Sequence, residues 1–331
     1  MQASYLKAYQ DGTLDKAIEK AFNLLAPCRI CPRRCKVNRI EDENGFCRTG
    51  LKPRVYSFMP HHGEEPPVSG RRGSGTIFFA QCNMRCVYCQ NFEFSQARAV
   101  GEQQETAFSN GEVSFEELAR VMLKLQDQGC HNINLVTPTH VMPQILKALR
   151  IAIGEGLCIP LVYNTGGYDL EPVIALLEGI VDVYLTDMRY SDDAKAVKYS
   201  SAPGYPLYNR LSVKEMHRQT GPAQMNEEGI IERGVIVRHL VLPRNISGTG
   251  DIMKFLAEEV SADTYISLMS QYRPYYRASG YPHLCRRITD REYSAAQEVM
   301  QHYGLHNGWV QEGRGLEKLA GVHIRRWDEV S

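Results

Sequence analysis

The sequence predicts an α/β protein: an incomplete (β/α)6 barrel of TIM type with an N-terminal helical, cysteine-rich, metal-binding extension. Three observations carry this prediction. From residue 74 onward, six short apolar runs alternate with helical patterns. Near-continuous apolar strands separated by helices indicate a parallel sheet with right-handed crossovers. Four cysteines crowd into residues 28–47, and three more, Cys82, Cys86 and Cys89, directly follow the first apolar run. Periodicity alone fits an open doubly wound sheet as well as an incomplete barrel.

Taken in order, Leu14, Ala17, Ile18, Ala21, Phe22 and Leu25 recur at helical spacing, so residues 13–26 form an amphipathic helix packed on the main body. Residues 28–73 have little periodicity and many Gly, Pro and Arg residues, as a metal-stapled segment would. No clear linker separates them from the barrel. Strands are expected at 76–80, 133–136, 160–164, 181–186, 235–242 and 265–269. Between the first two, Ser114 and Glu117 stand at capping-box spacing before an apolar-periodic helix. Further helices are expected near 142–153, 170–179, 250–260 and 290–303. The chain thus divides into a helix and cysteine-rich segment (1–73), the partial barrel (74–290) and a C-terminal helix and tail (291–331).

At 331 residues, with 43% hydrophobic and 23% charged, the chain is an ordinary globular one with room for a sizeable core. Its 38 basic residues balance 38 acidic ones, which gives no bulk attraction to nucleic acid or membrane, and neither partner is expected. No apolar run is long enough to span a bilayer, and the first residues lack a secretory signal pattern. A cytoplasmic location is therefore expected, where clustered cysteines more often bind metal than pair as disulfides.

The ten cysteines fall into three sets. Cys82, Cys86 and Cys89 form a C-x3-C-x2-C triplet with no fourth Cys or His close downstream. Three thiolates so placed can ligate three irons of a [4Fe–4S] cluster and leave one iron open to chelate a substrate, whereas structural zinc wants four ligands. Cys28, Cys31, Cys35 and Cys47 make a closed four-thiolate set. Zinc is the simpler occupant, and an auxiliary iron–sulfur cluster needs the same ligands. Cys130 and Cys158 sit beside apolar runs and read as core. Cys285 lies in the loop after the last strand. His61, His62, Glu64 and Glu65 form a dense polar run that reads as a solvated or hydrogen-bonded loop supporting the triplet, with a His/Glu metal site as the alternative.

The triplet, placed after the first strand of a β/α chain, resembles the signature of the radical S-adenosylmethionine superfamily. Gly73–Cys82 and Cys89–Asn91 look like its pyruvate formate-lyase activating enzyme-like branch. Within that branch the chain is similar to a subgroup with a cysteine-rich N-terminal segment, through His61–Pro66, Leu135–His140, Val162–Tyr168, Asp182–Asp187, Arg238–Pro243 and Leu268–Tyr272. The resemblance implies reductive cleavage of S-adenosylmethionine to a 5′-deoxyadenosyl radical, which abstracts hydrogen from a substrate. It also implies a flavodoxin- or ferredoxin-type reductant. The target is a glycyl-radical enzyme, as the branch suggests, or a small molecule or peptide. A non-catalytic electron carrier fits least, since it needs neither an open iron nor six β/α units.

Ligands gather at the carboxyl ends of strands in such folds. Relatives carry a glycine-rich loop after the second strand; here Thr137 and Thr139 stand there and offer hydroxyls. By the resemblance, Asn164 and Thr165 lie near the sulfonium and ribose. Asn164 stands where the activating enzymes often place a cation-holding Asp, and no cation is expected on the amide. Asp187 and Arg189 lie near the cosubstrate. Arg238 and His239 interrupt an apolar run, which is costly without partners; Arg238 is expected to face inward, where it would grip a carboxylate. The candidate cofactor-binding residues are therefore Tyr88, Thr137, Thr139, Asn164, Thr165, Asp187 and Arg238, and the sixth strand adds Ser270, Gln271 and Tyr272.

Overall fold

The computed structural model describes residues 2–96 and 111–310. The predicted tail after the C-terminal helix lies mostly outside the described residues. The strands are β1 (Val55–His61), β2 (Ser74–Phe79), β3 (Ile133–Val136), β4 (Leu161–Thr165), β5 (Val183–Asp187), β6 (Gln224–Met225), β7 (Ile231–Leu240), β8 (Tyr265–Met269) and β9 (Gly308–Val310). They form a mostly parallel sheet in the order β1-β2-β3-β4-β5-β7-β8-β9. Strand β1 runs antiparallel to β2, and β6 pairs antiparallel with β7. All six predicted strands are present, with ends shifted by a few residues at most.

Three strands are additional to the prediction. In β1, Pro60 and partial exposure hide the alternation; β6 and β9 have two and three residues, too few to show a period. Every residue of β2, β3, β4 and β5 is buried, which is why they read as unbroken apolar runs. The sheet is strongly curled: Gly63, just after β1, and Trp309 on β9 border one cavity although they come from opposite edges.

The expected helices appear at Thr13–Phe22, Phe115–Asp127, Met142–Gly154, Glu171–Ile174 with a 3-10 turn, Thr249–Phe255 with a π turn, and Asp290–His302. The capping box is present: Glu117 N donates to Ser114 Oγ at 3.1 Å, and Ser114 N to Glu117 Oε2 at 2.7 Å. Helix Tyr205–Thr220 escapes the sequence reading because its buried side includes Asn209, Ser212, Glu215 and Gln219, so no apolar stripe marks it. Helices Tyr5–Gln10 and Asp193–Ser200 are short and also go unmarked. Among the described residues, no helix is long and apolar enough to cross a membrane.

Cys130 is buried, but Cys158 is exposed, which corrects its expected place in the core. It lies in the turn after Met142–Gly154, where its backbone N–H donates to Gln126 Oε1 and the inward position goes to Leu157.

Candidate functional site

Strand β2 is buried throughout and ends at Phe79, so the chain must leave the sheet at its carboxyl edge. There Gln81 takes a left-handed φ of 68° and turns the following loop across the strand ends. Cys82, Cys86 and Cys89 on this loop border one cleft of about 190 Å³. Thr137, Asn164, Thr165, Asp187 and Arg238, at the ends of β3, β4, β5 and β7, line the same cleft, as do Tyr88, Arg189 and Gln271. The sheet thus brings together most of the residues singled out from sequence.

Thr139 is set apart from them. It is buried, donates to Asp169 Oδ1 at 2.7 Å, and does not border the cleft. Thr165 donates to the other oxygen of Asp169, also at 2.7 Å. Asp169 is a positioning residue that the sequence reading missed; its signal is a lone carboxylate between Tyr168 and Leu170. Thr137 has φ 62°, a costly conformation for a β-branched residue. The backbone therefore bends here as a glycine would, although the sequence offers none. Tyr272 turns away to donate to Leu284 O, and exposed Cys285 donates to Pro282 O, outside the cleft.

The three thiols are close enough together to influence one another's titration. Burial first, then the neighbouring Cys86 thiol, push the Cys82 thiol up to about 12. The same two causes raise that of Cys89. Met84 N donates to Cys82 Sγ at 3.3 Å, Ser200 Oγ donates to Cys86 Sγ at 3.0 Å, and Ser95 Oγ lies 3.2 Å from Cys89 Sγ. Thiols so placed are deprotonated when they bind metal, and each already has a hydroxyl or amide group in place. Among the described residues, no group of three or more His, Cys, Asp or Glu side chains is arranged to hold a metal ion as it stands. A cubane spans thiols through its own iron atoms, so its fit is judged by the shared cleft and the groups around the sulfurs.

The N-terminal cysteines also face one another. The Cys31 thiol is pushed up to about 12, mainly by burial and then by Cys47, Cys28 and Cys35. Phe46 N donates to Cys35 Sγ at 3.4 Å. This segment is fastened to the triplet loop by two arginines that the sequence reading did not single out. Arg33 Nε donates to Asn83 O at 3.0 Å, and its Nη2 to Ser201 O. Arg85 donates to the carbonyls of Cys82, Met84 and Phe46 at 2.7–2.9 Å. The Phe46 ring packs against both guanidinium groups, at 3.6 Å from Arg33 and 4.7 Å from Arg85.

At the far wall of the cleft Arg238 does face inward. It donates to Asp187 Oδ1 and Asn164 Oδ1, each at 2.7 Å, and reaches Glu64 Oε2 at 3.5 Å. Arg189 donates to the second oxygen of Asp187. Burial would raise the Asp187 carboxyl, but the two arginines together hold it below its ordinary value. Burial lifts the Glu65 carboxyl to about 7, against the pull of Arg238. Of the two forms expected for the polar run at 61–65, its inner end is the hydrogen-bonded one: Glu65 is buried and Glu64 is bonded to Asn164 and Arg238, while His62 is exposed. It enters under the strand ends because β1 runs antiparallel to β2 and delivers it there.

His239 packs on the opposite face, between Met188 O at 2.8 Å and Thr249 Oγ1 at 3.0 Å. Burial depresses its imidazole from 6.5 to about 4. The folded state keeps the ring neutral where the unfolded chain takes up a proton, so stability falls as pH drops through that window. The expected slope is about 1.4 kcal/mol per pH unit from this residue. Urea titrations between pH 7 and 4 should show that slope diminished in His239→Gln; equal slopes would mean that the folded ring already accepts protons.

Fold and site together define a class: a curled, mostly parallel β/α sheet with a three-cysteine loop at the carboxyl ends of its strands. Over 310 residues the chain is 33% identical to the uncharacterized protein MJ0674 of Methanocaldococcus jannaschii, covering 91% of this chain and 82% of that one. The chain belongs to the family of that archaeal protein. No family profile matches it. Solved structures with a similar course include a radical SAM methyltransferase from Sphaerobacter thermophilus, with TM-score 0.45, 13% identity and coverage of 73% of this chain and 67% of that one. Another is TYW1 with a lysine-pyruvate adduct bound, with TM-score 0.39, 11% identity and coverage of 74% and 78%.

Proposed function

We propose that this protein is a radical S-adenosylmethionine enzyme of the pyruvate formate-lyase activating enzyme-like type. The observation that carries the reading is the single cleft shared by Cys82, Cys86, Cys89 and the polar ends of β3, β4, β5 and β7. Bound to those thiols, a [4Fe–4S] cluster with an open iron supplies the electron that splits S-adenosylmethionine into methionine and a 5′-deoxyadenosyl radical. The remaining work falls to the chain. Thr137, Asn164 and Thr165 offer hydrogen bonds to the cosubstrate. Arg238 is engaged by Asp187, Asn164 and Glu64, so Arg189, held by Asp187 and with its Nε unpartnered among the described residues, is the guanidinium left to meet a carboxylate. Tyr88 and Met84 wall the triplet against water.

The four N-terminal thiols hold a structural zinc or a second cluster, and a flavodoxin or ferredoxin supplies electrons. Of the two targets, a small molecule or peptide side chain is favoured over a glycyl-radical enzyme. A further cavity of about 40 Å³ adjoins the cleft and offers an end group somewhere to lodge. Anaerobically reconstituted, dithionite-reduced protein given S-adenosylmethionine should release 5′-deoxyadenosine and methionine in equal amounts. No nucleoside above the protein-free control would sink the reading.

A further inference from the structure

The cavity beyond Arg238 has chemistry of its own. Three carboxylates, Glu64, Glu65 and Asp187, meet two guanidinium groups, Arg189 and Arg238, and Asp187 takes up contacts from both. With all three carboxylates ionised, one negative charge is left over, and it falls on the glutamate pair. Arg238 reaches Glu64 at 3.5 Å, and Asn164 Nδ2 donates to Glu64 at 3.3 Å. Glu65 is 8% exposed, and its Oε2 has no hydrogen-bond partner among the described residues. Arg238 and the Ser267 hydroxyl favour its charged form, but a buried carboxylate with one oxygen unpartnered is still costly, and a proton or a cation completes it.

The space for such a cation is present. Glu64, Glu65, Met269 and Trp309 border the cavity of about 40 Å³. That is room for little more than one or two waters or the end of an alkylammonium. Carboxylates beside an indole suit an organic cation, and the thioether of Met269 suits the methylenes behind it. Glu64, Arg238, Met269 and Gln271 border both this cavity and the cleft of the cysteine triplet, so a ligand anchored at Glu65 points back toward the triplet.

We propose that the substrate is an amine whose alkylammonium end is held by Glu65 and Glu64 in the inner cavity while its other portion lies in the triplet cleft. This rests on the function proposed above and names its substrate class. The ammonium replaces the missing positive charge, and Arg238 separates it from the carboxylate-binding side of the cleft.

The test uses the anaerobically purified full-length protein with saturating S-adenosylmethionine, so that the ammonium of the cosubstrate is already satisfied. Binding of propylammonium chloride, 1-propanol and potassium chloride is followed by saturation-transfer NMR and calorimetry. Propylammonium should bind at least about tenfold more tightly than propanol, and Glu65→Gln should remove about that factor without changing the propanol result. Equal affinity for amine and alcohol would show that a proton completes Glu65 and would overturn the proposal. So would displacement of the amine by equimolar potassium, or no amine binding at all. The comparison of amine with alcohol in the unmodified protein decides the matter even if Glu65→Gln fails to fold. 5′-Deoxyadenosine is measured in parallel samples of the same protein reduced with dithionite: amine binding without nucleoside overturns the function and leaves the site, and the reverse result overturns the site alone.

Discussion

Replacing Cys86 with alanine is expected to reduce 5′-deoxyadenosine formation to the protein-free level while leaving the fold in place. Cys86 is the middle thiol of the triplet, and two thiols cannot hold a cubane that needs three. The reconstituted variant should also lose the broad visible absorbance of an iron–sulfur cluster. Stability should fall only modestly. Cys86 is a small buried side chain whose one named hydrogen bond comes from Ser200, and Ser200 Oγ keeps Tyr190 as a partner at 2.7 Å. Loss of the sulfur then costs about 1–2 kcal/mol, the scale of a small core truncation. A variant that retains both absorbance and nucleoside production would show that the triplet is not the ligand set. A variant that unfolds would show that the thiol is structural, and Cys86→Ser would then separate the two roles.

The second large effect is on stability. Arg238→Met should destabilise the protein by about 3–5 kcal/mol, because it leaves Glu64 and Asp187 buried with only Arg189 to answer them. The methionine fills similar space, so the loss reports charge and hydrogen bonding. Arg238→Lys should recover part of it, since a single ammonium cannot reproduce the fork that meets Asp187 and Asn164 together. The measurement is the urea midpoint of each variant at pH 7.5. A loss under about 1 kcal/mol for Arg238→Met would place the network in effectively solvated surroundings.

Residues whose roles follow from local patterns are legible in the sequence. The runs at Ile133–Val136 and Tyr265–Met269 read as strands because nearly every residue in them is buried. Arg238 reads as inward-facing because a charge inside an apolar run needs a partner, and it has three. The cysteine triplet is legible because its spacing is local. Glu64 and Glu65 are legible as a polar run, but their place under the strand ends is not, because only the antiparallel pairing of β1 with β2 carries them there. Asp169 is hidden because its partners Thr139 and Thr165 come from two different strand ends, and no spacing along the chain joins them. Arg33 and Arg85 look like surface charges until Phe46 is seen against both.

The clasp around Phe46 has a consequence for biosynthesis. Arg33 finds its partner Ser201 only 168 residues later in the chain. At roughly 5–20 residues per second, a ribosome needs on the order of 8–34 s to deliver that partner. During that interval the segment carrying Cys28, Cys31, Cys35 and Cys47 can grip the triplet loop through Asn83 and Phe46 but lacks the Ser201 contact that completes the clasp, which leaves its thiols more open to whatever oxidant or metal donor the solvent contains. Yield of intact protein should therefore depend on the redox state of the cell during translation, before any finished molecule exists to be damaged.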